Sequence, residues 1–565
     1  MKLETFFKHF DLLAEAPNGV QKLRELILDL AVRGKLVPQD ANDEPAAVLL
    51  ERIKKEKERL VKEGKIKNQK TVSPAKLQKL VYQIPPNWKW CNFSDVIFSQ
   101  EGPGIRNWQF KSDGIKLLNV KNIVKGELIL DNSDKYISEE EFEQKYKHFL
   151  IEEGDLLFAS SGNSWGKTAF FKDPGYKVIV NTSTIRMKFI DRECHNKFLR
   201  YFLESNVFKN QMIIQLSGMQ PNFGSSHLMK VLIPLPPLNE QKRIVTKVDE
   251  LMKLCDELEA RQKKKQETRI LINNAALNKL LTADTPETFT KNWQRIGDNF
   301  DILYSAPENI GKLRQAILQL AVMGKLVPQD ANDEPAAVLL ERIKKEKERL
   351  VSKKKKNIDS ELIQPIKLNE ISYKLPSSWE WTRLGSIINS LTGGGTPSKN
   401  NPLFWGGDIP WASVKDLKGN KYLTTTIDYI TEKGLHQSSS NFILKGKVII
   451  CTRMGLGKIA INTIDVAINQ DLKAIELAEG IDVNYFYNFY LTQNIVGTGV
   501  TVSGIRQSEL INFLVPLPPL NEQKRIVTKV DKLMKLCDEL ETKLTQTQTE
   551  REKIINAAVK QLLTV

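Results

Sequence analysis

The strongest constraint on the fold is an internal duplication. Residues 34–61 recur unchanged at 324–351. The stretch PLPPLNEQKRIVTKVDELMKLCDELE, which starts at Pro234, returns at Pro516 with a single replacement. Self-similarity on this scale indicates two copies of one structural unit. Because the repeated stretches flank long dissimilar blocks, the chain alternates repeated helical segments with two variable blocks.

The two variable blocks open alike and then diverge. IPPNWKW ends at Trp90 and LPSSWEW ends at Trp381. Beyond these residues the clearest echo is a Gly-Lys turn, SGNSWGKTA in the first block and TRMGLGKIA in the second. We therefore predict five segments: an N-terminal helical region 1–80, a first block 81–233, a central helical region 234–371, a second block 372–515 and a C-terminal helix 516–565.

Hydrophobic periodicity predicts long helices between the blocks. After Leu238, apolar residues fall at Ile244, Val248 and Leu251 in alternating steps of four and three, which is a heptad seam. The pattern resumes after the polar run QKKKQET and predicts a helix to Leu281, about 60 Å long at 1.5 Å per residue.

Runs such as LLNVKNIV and KVIVNTSTIRMKFI indicate strands within the blocks. The central helical region contains one copy of each repeated helical stretch. The other copies lie in the N-terminal region and in the C-terminal helix, at opposite ends of the chain. The predicted fold is therefore α+β and multi-domain. It has two mixed α/β domains separated by long antiparallel coiled-coil helices in a pseudo-twofold cyclic repeat.

Composition favours a polyanionic partner. The formal net charge is +15 and the pI is near 9.2, as in many proteins that bind nucleic acid. The five cysteines form no CxxC pair, so we expect neither a zinc site nor a disulfide framework, and a reducing cytoplasm fits best. No signal peptide and no run of about 18 apolar residues is visible, which predicts a cytoplasmic protein without a membrane partner.

Several motifs occur in a fixed order along the chain: the Pro-x-x-Trp-x-Trp opening of each block, GGGTPSKNNPLFWGGDIPWASVKDL from Gly393, the Gly-Lys turns, AINQDLKAI from Ala467 and the PLPPLNEQKRIV exit. In this order and with this duplication, the motifs resemble those of the specificity subunits of type I restriction-modification systems. The resemblance covers essentially the whole chain. The first block departs from it, because SQEGPGIRNWQF from Ser99 replaces the GGGTPS element.

The resemblance implies that each block is a target recognition domain reading one half of an asymmetric bipartite site in double-stranded DNA. The helices would set the spacer and dock two methyltransferase subunits, joined by two motor and endonuclease subunits. It also implies no catalytic residue, no metal and no cofactor in this chain. S-adenosylmethionine, ATP and magnesium would belong to the partner subunits.

Candidate DNA contacts are polar and basic residues on predicted loops, because Arg, Lys, Asn and Gln suit base and phosphate contacts. In the first block they are Arg106, Asn107, Lys111, Asn163, Ser164, Lys167 and Asn222. In the second block they are Lys399, Asn400, Lys415, Arg453, Lys458, Arg506 and Gln507. We expect Trp108 and Trp405 to be buried in the core, since buried tryptophan is commoner than tryptophan that stacks on bases.

Two motifs partly match the loops of other protein classes, a phosphate-binding loop and the catalytic loop of amino-methyltransferases. SGNSWGKT lacks the first glycine of a phosphate-binding loop, because Ser161 stands there, so we predict a plain or phosphate-contacting turn. Asn401-Pro402-Leu403-Phe404 departs at Leu403 from the Asn-Pro-Pro-Phe loop of amino-methyltransferases, and we predict a structural turn. The rival functions are a self-sufficient adenine methyltransferase, which S-adenosylmethionine binding would reveal, and a coiled-coil scaffold that binds no nucleic acid.

Overall fold

The chain folds as two compact units, each built from residues distant in sequence. The computed structural model describes residues 14–66, 82–124, 126–215, 223–352, 362–497 and 504–564. Unit 1 comprises residues 1–264 and 547–565, and unit 2 comprises residues 265–546. Each unit therefore contains the start of one long helix and the end of the other.

The described helices range from single turns to more than forty residues. They are α1 (Gly19–Val32), α2 (Ala46–Lys62), α3 (Phe93–Val96), α4 (Glu139–Glu141), α5 (Asn196–Glu204), α6 (Asn206–Ile213), α7 (Ser225–Leu228), α8 (Leu238–Leu281), α9 (Pro286–Asp298), α10 (Phe300–Leu303), α11 (Pro307–Val322), α12 (Ala336–Ser352), α13 (Leu384–Ile387), α14 (Glu432–His436), α15 (Val483–Tyr490), α16 (Gln507–Ile511) and α17 (Leu520–Thr564).

The strands lie in the two variable blocks, and the last strand of each block runs two residues past its expected end. Those of unit 1 are β1 (Lys89–Asn92), β2 (Ile97–Glu101), β3 (Ile115–Leu118), β4 (Ile123–Val124), β5 (Glu127–Leu128), β6 (Tyr136–Ile137), β7 (Leu156–Ala159), β8 (Thr168–Phe170), β9 (Val178–Val180), β10 (Thr184–Phe189) and β11 (Leu232–Leu235). Those of unit 2 are β12 (Glu380–Arg383), β13 (Ile388–Gly393), β14 (Trp405–Ala412), β15 (Tyr422–Leu423), β16 (Asp428–Ile430), β17 (Asn441–Ile443), β18 (Val448–Cys451), β19 (Ile459–Asn462), β20 (Val466–Ile468), β21 (Leu472–Leu477) and β22 (Leu514–Leu517).

Both variable blocks share one sheet topology. In unit 1 the strand orders are β2-β10-β7-β8 and β6-β3-β9. In unit 2 the orders β13-β21-β18-β19-β15 and β16-β14-β20-β17 repeat these and add β15 and β17. A two-stranded ribbon, β1 with β11 or β12 with β22, brings together the beginning and end of each domain. The divergent sequences therefore fold on a common framework.

The heptad prediction is confirmed by the long helices. Helix α8 runs from Leu238 to Leu281, and α17 covers the equivalent copy. The seam residues Ile244, Val248 and Leu251 are buried in the core of unit 1. The polar run QKKKQET does not interrupt the helix, because lysine, glutamine and glutamate have good helix propensity.

The cyclic repeat is also confirmed, since the C-terminal end of the chain packs on its N-terminal helices within unit 1. Leu562 is buried in the same core as Leu23 of α1. The Lys22 ammonium lies 2.9 Å from the Glu552 carboxylate, and Lys35 donates to the Leu563 carbonyl at 3.4 Å. Unit 2 uses the other halves of the two long helices in the same way.

In each unit a buried carboxylate joins the long helix to the opening of the variable block. Trp379 donates from Nε1 to Glu522 at 2.9 Å, and Gln329 donates to the same carboxylate at 2.6 Å. Unit 1 repeats both distances, with Trp88 and Gln39 donating to Glu240. The duplicated Trp-x-Trp and Asn-Glu-Gln motifs therefore form one joint twice.

Candidate nucleic-acid interface

The variable block of unit 2 contains an open cleft of about 690 Å³ at the ends of its central strands. Aromatic, basic and polar side chains share its lining. They are Thr396, Lys399, Trp405, Trp411, Ser413, Val414, Lys415, Asp428, Met454, Asn469, Gln470 and Asp471. This mixture provides apolar surface, cations and hydrogen-bonding groups, which are the components of a DNA-reading surface.

The glycine-rich loop at the cleft is fixed by close packing and by two indoles. A Cβ on Gly394 would lie 2.1 Å from the Ile468 carbonyl oxygen, so only glycine fits there. Trp411 donates from Nε1 to the Gly395 carbonyl, and Trp405 to the Ser398 carbonyl, each at 3.1 Å. The two rings meet edge to face with centroids 5.1 Å apart. The GGGTPS element thus positions the cleft wall.

A tight turn after β14 presents Lys415. The Asp416 carboxylate accepts from the Ser413 amide at 2.7 Å and from the Ile427 amide at 2.8 Å. Ser413 Oγ accepts from the Lys415 amide at 3.3 Å. The backbone is therefore held by side-chain hydrogen bonds while the lysine side chain is exposed, an arrangement suited to contacting a phosphate.

The Gly-Lys turn packs beside this lysine turn. Lys458 donates from Nζ to the Val414 carbonyl at 3.4 Å, and Gly455 lies against Val414 so closely that a Cβ would be 2.8 Å from it. Arg453 on the same turn lies 3.8 Å from the carboxylate of Asp471, which lines the cleft. The turn therefore forms the rim of the cleft.

The structure groups most of the second-block candidates. Lys399 and Lys415 line the cleft, while Arg453 and Lys458 lie on its rim. The other three candidates of this block, Asn400, Arg506 and Gln507, are exposed but do not line the cleft. Asn400 follows Lys399. Arg506 caps α16 and Gln507 is its first residue, and the Ile505 amide just before them donates to the Thr452 carbonyl at 2.9 Å.

The first-block candidates lie on separate loops. Arg106 and Asn107 follow a loop fixed to Asn181, which accepts from the Ile105 amide at 3.2 Å. Lys111 is exposed beside β6, where its amide donates to the Tyr136 carbonyl at 2.9 Å.

The remaining first-block candidates belong to the Gly-Lys turn and a segment beyond it. Asn163, Ser164 and Lys167 lie on that turn, with Lys167 donating to Ser164 Oγ at 3.3 Å. Asn222 lies outside the described residues.

The prediction of buried tryptophans is wrong for Trp108 and incomplete for Trp405. Trp108 is 80% exposed, because it sits on a short helical turn whose buried residue is its neighbour Gln109. Trp405 is half-buried, with one face toward Trp411 and an edge in the cleft. Both indoles therefore present apolar surface to solvent at a candidate DNA surface.

Sequence reasoning missed Lys121, the first-domain equivalent of Lys415. Strand β3 pairs with β9 in parallel as β14 pairs with β20, so the turns after β3 and β14 correspond. The Asn119 side chain accepts from the Lys121 amide at 2.9 Å, as Ser413 does for Lys415. The two turns have similar sequences, NVKN at 119–122 and SVKD at 413–416, but only the strand register shows that these short stretches are equivalent.

Nucleophilic and metal chemistry find little support among the described residues. Burial raises the pKa of Cys451 to about 11 and that of Cys194 to about 12, so both stay protonated thiols at neutral pH. In the parts of the chain that the structure describes, no cluster of three or more His, Cys, Asp or Glu side chains is placed to hold a metal ion. Within those same parts, none of the helices is long and apolar enough to cross a membrane.

The fold defines a class of protein in which two copies of one mixed α/β domain are carried on shared helices. The family model described as "Type I restriction modification DNA specificity domain" matches residues 85–268 and again residues 376–548. The chain therefore belongs to the family of type I restriction-modification specificity subunits.

Similar proteins extend over nearly the whole chain. The type I restriction enzyme EcoAI specificity subunit of Escherichia coli is 33% identical over 92% of this chain and 90% of its own length. The EcoEI specificity subunit of Escherichia coli is 29% identical over 95% of this chain and 93% of its own length. The crystal structure of the HsdS subunit from Thermoanaerobacter tengcongensis is 19% identical, covering 85% of this chain and 98% of that one with a TM-score of 0.42.

Proposed function

We propose that this chain reads an asymmetric bipartite site in double-stranded DNA for a type I restriction-modification complex. Each recognition domain reads one half of the site, and the long helices set the spacer between the halves. The chain itself is not catalytic and carries no cofactor. It works in the cytoplasm, and its partners are two methyltransferase subunits and two motor and endonuclease subunits.

One observation carries the proposal: two domains of one framework differ in the side chains around their lysine turns. The strand orders repeat, and the lysine turns after β3 and β14 are built by equivalent hydrogen bonds. The surrounding side chains differ, as Ser183 and Asp471 do at equivalent positions. Equivalent phosphate-contacting turns orient both domains alike, and different base-contacting residues give each half of the site its own sequence.

The repeated helices support the binding of one partner twice. Helices α2 and α12 have identical sequences from Ala46 to Val61 and from Ala336 to Val351. Burial accounts for identity at positions such as Leu49 and Leu339, but Val48 and Val338 are also identical and are 51% and 50% exposed. Identical residues at exposed positions are expected if two copies of one subunit bind these helices.

Catalysis and its cofactors are assigned to the partners. The methyltransferase subunits bind S-adenosylmethionine and methylate adenine with it, and the motor subunits bind magnesium and hydrolyse ATP. The purified chain alone should neither methylate nor cut DNA, and it should not bind S-adenosylmethionine in a calorimetric titration. Methyl transfer by the chain without partners would favour the self-sufficient methyltransferase instead.

The proposal is tested by mapping methylated adenines in cells that carry the complete system. We expect methylation confined to a two-part motif with unlike halves and a fixed spacer. A matched strain lacking only this chain should lose the methylation. A continuous or palindromic motif, or methylation that persists without the chain, would contradict the proposal.

A further inference from the structure

Met454 combines backbone strain with exposure at the rim of the unit 2 cleft. Its φ is +42°, in the left-handed region that side chains other than glycine rarely adopt. Its side chain is 65% exposed and lines the cleft beside Lys415. The left-handed backbone of a methionine costs free energy, and a side chain that is mostly exposed regains little of that free energy by burial.

The equivalent position in unit 1 is a glycine. The Thr452 amide donates to the Asp471 carbonyl at 2.9 Å, and the Ser160 amide donates to the Ser183 carbonyl at 2.8 Å, so these two turns start alike. Counted from that start, Met454 corresponds to Gly162, whose φ is +60°, and the unit 1 turn is one residue longer before its Gly-Lys pair. The shape of the turn therefore calls for a left-handed residue, and glycine meets that need in the other domain.

The neighbours of Met454 are suited to DNA. Lys399 and Lys415 are exposed cations on the cleft lining, and Gln470 is an exposed amide beside them. Cations in this position suit phosphates and the amide suits a base edge. Met454 is the exposed apolar side chain among them, since Trp405 and Val414 of the same lining are half-buried and Trp411 is buried.

We propose that Met454 is a specificity-determining residue that packs against the 5-methyl group of a thymine in the half-site read by unit 2. The inference rests on the proposed function and names one contact within it. Thymine's methyl is the apolar feature of the major-groove base edges, so an apolar side chain discriminates by contacting it. The strained backbone aims the side chain out of the turn and toward that edge.

The test uses the reconstituted complex of this chain with its methyltransferase subunits. A randomised duplex library is selected with the parent and with Met454→Gly, Met454→Ala and Leu444→Ala. Leu444 is 61% exposed in the same domain and is absent from the cleft lining, so it is the matched control. We expect both Met454 variants to lose a thymine preference at one position of one half-site, and the control to keep the parent motif.

Replacing that thymine by deoxyuridine removes only the methyl group. The parent should lose affinity by about fourfold, the value for burying one methyl-sized group, whereas the Met454 variants should lose none. The glycine variant should melt no lower than the parent, because glycine tolerates the left-handed backbone, which separates recognition from folding.

Two outcomes overturn the inference. One is an unchanged motif in both Met454 variants, and the other is an equal loss of affinity for all sequences. Failure of the proposed function looks different, since the parent complex itself would then select no motif.

Discussion

At the scale of residues, the two equivalent lysines are the simplest phosphate contacts to test. Lys121 and Lys415 are exposed on turns whose backbones are held by neighbouring side chains. Lys121→Ala and Lys415→Ala should each weaken DNA binding by the complex across all sequences and reduce the slope of log affinity against log salt by about 1. Fluorescence anisotropy at several salt concentrations measures both quantities.

The exposed Lys433 on α14 provides a control for the loss of one positive charge. Lys433→Ala should change the salt slope by much less than Lys415→Ala does. Equal slopes for these two variants would show that Lys415 acts only through net charge. Melting temperatures should stay near that of the parent, because exposed lysines contribute little to folding.

The sequence indicated which kinds of residue contact DNA, but it did not show which of them lie together in the fold. Lys399 and Lys415 were chosen as basic loop residues, and the structure places both on one cleft. Lys121 was missed because equivalence depends on strand register, which two diverged blocks do not reveal. The expectation for Trp108 is wrong because, on its short helical turn, the neighbouring Gln109 is the buried residue, and sequence alone does not show which residue of the turn faces the core.

At the scale of elements, the buried carboxylate joints give a duplicated prediction about stability. Glu522→Ala leaves Trp379 Nε1 and the Gln329 amide without an acceptor, and should destabilise the joint in unit 2 by about 2 kcal/mol. Hydrogen exchange at the β12 and β22 ribbon should accelerate accordingly.

Glu240→Ala should cause a similar loss of stability and a similar acceleration of hydrogen exchange at β1 and β11, because Trp88 and Gln39 donate to Glu240 at the same distances. Glu522→Gln should lose less, since its amide oxygen still accepts one of the two hydrogen bonds. Unchanged exchange in both alanine variants would contradict the assignment of these carboxylates as the joints between long helix and recognition domain.

The long helices give a prediction about spacing. Deleting Gln262–Lys265 from α8 shortens that helix by about 6 Å and turns its distal part by about 40°. A matched deletion of residues 544–547 shortens α17 equally. The spacer in the methylated motif should then fall by about one or two base pairs at 3.4 Å each, with the half-site sequences unchanged.

Methylated-adenine mapping reads out both parts of this result, provided that the complex assembles. An altered base sequence with an unchanged spacer would show that the helices do not set the spacing. The extent of these helices was predictable because a heptad seam persists over many turns, whereas the surface loops of the domains have no comparable periodicity.

At the scale of the whole molecule, duplication predicts the number of methyltransferase subunits. Each unit carries one copy of the repeated helix, α2 or α12, with the same exposed residues. Native mass spectrometry of the reconstituted complex should therefore show two methyltransferase subunits for each copy of this chain. A single subunit at saturation would contradict the use of both repeats as equivalent binding surfaces.

We propose that the two domains read two half-sites independently while shared helices fix their separation. The most direct measurement is the methylome of a chimera in which residues 372–515 are replaced by a foreign recognition domain, with the reciprocal replacement of 81–233 as its matched control. Each chimera should change one half-site, a different half in each, and keep the other half and the spacer. A chimera that changes both halves, or that alters the spacer while the helices are intact, would contradict this division of roles.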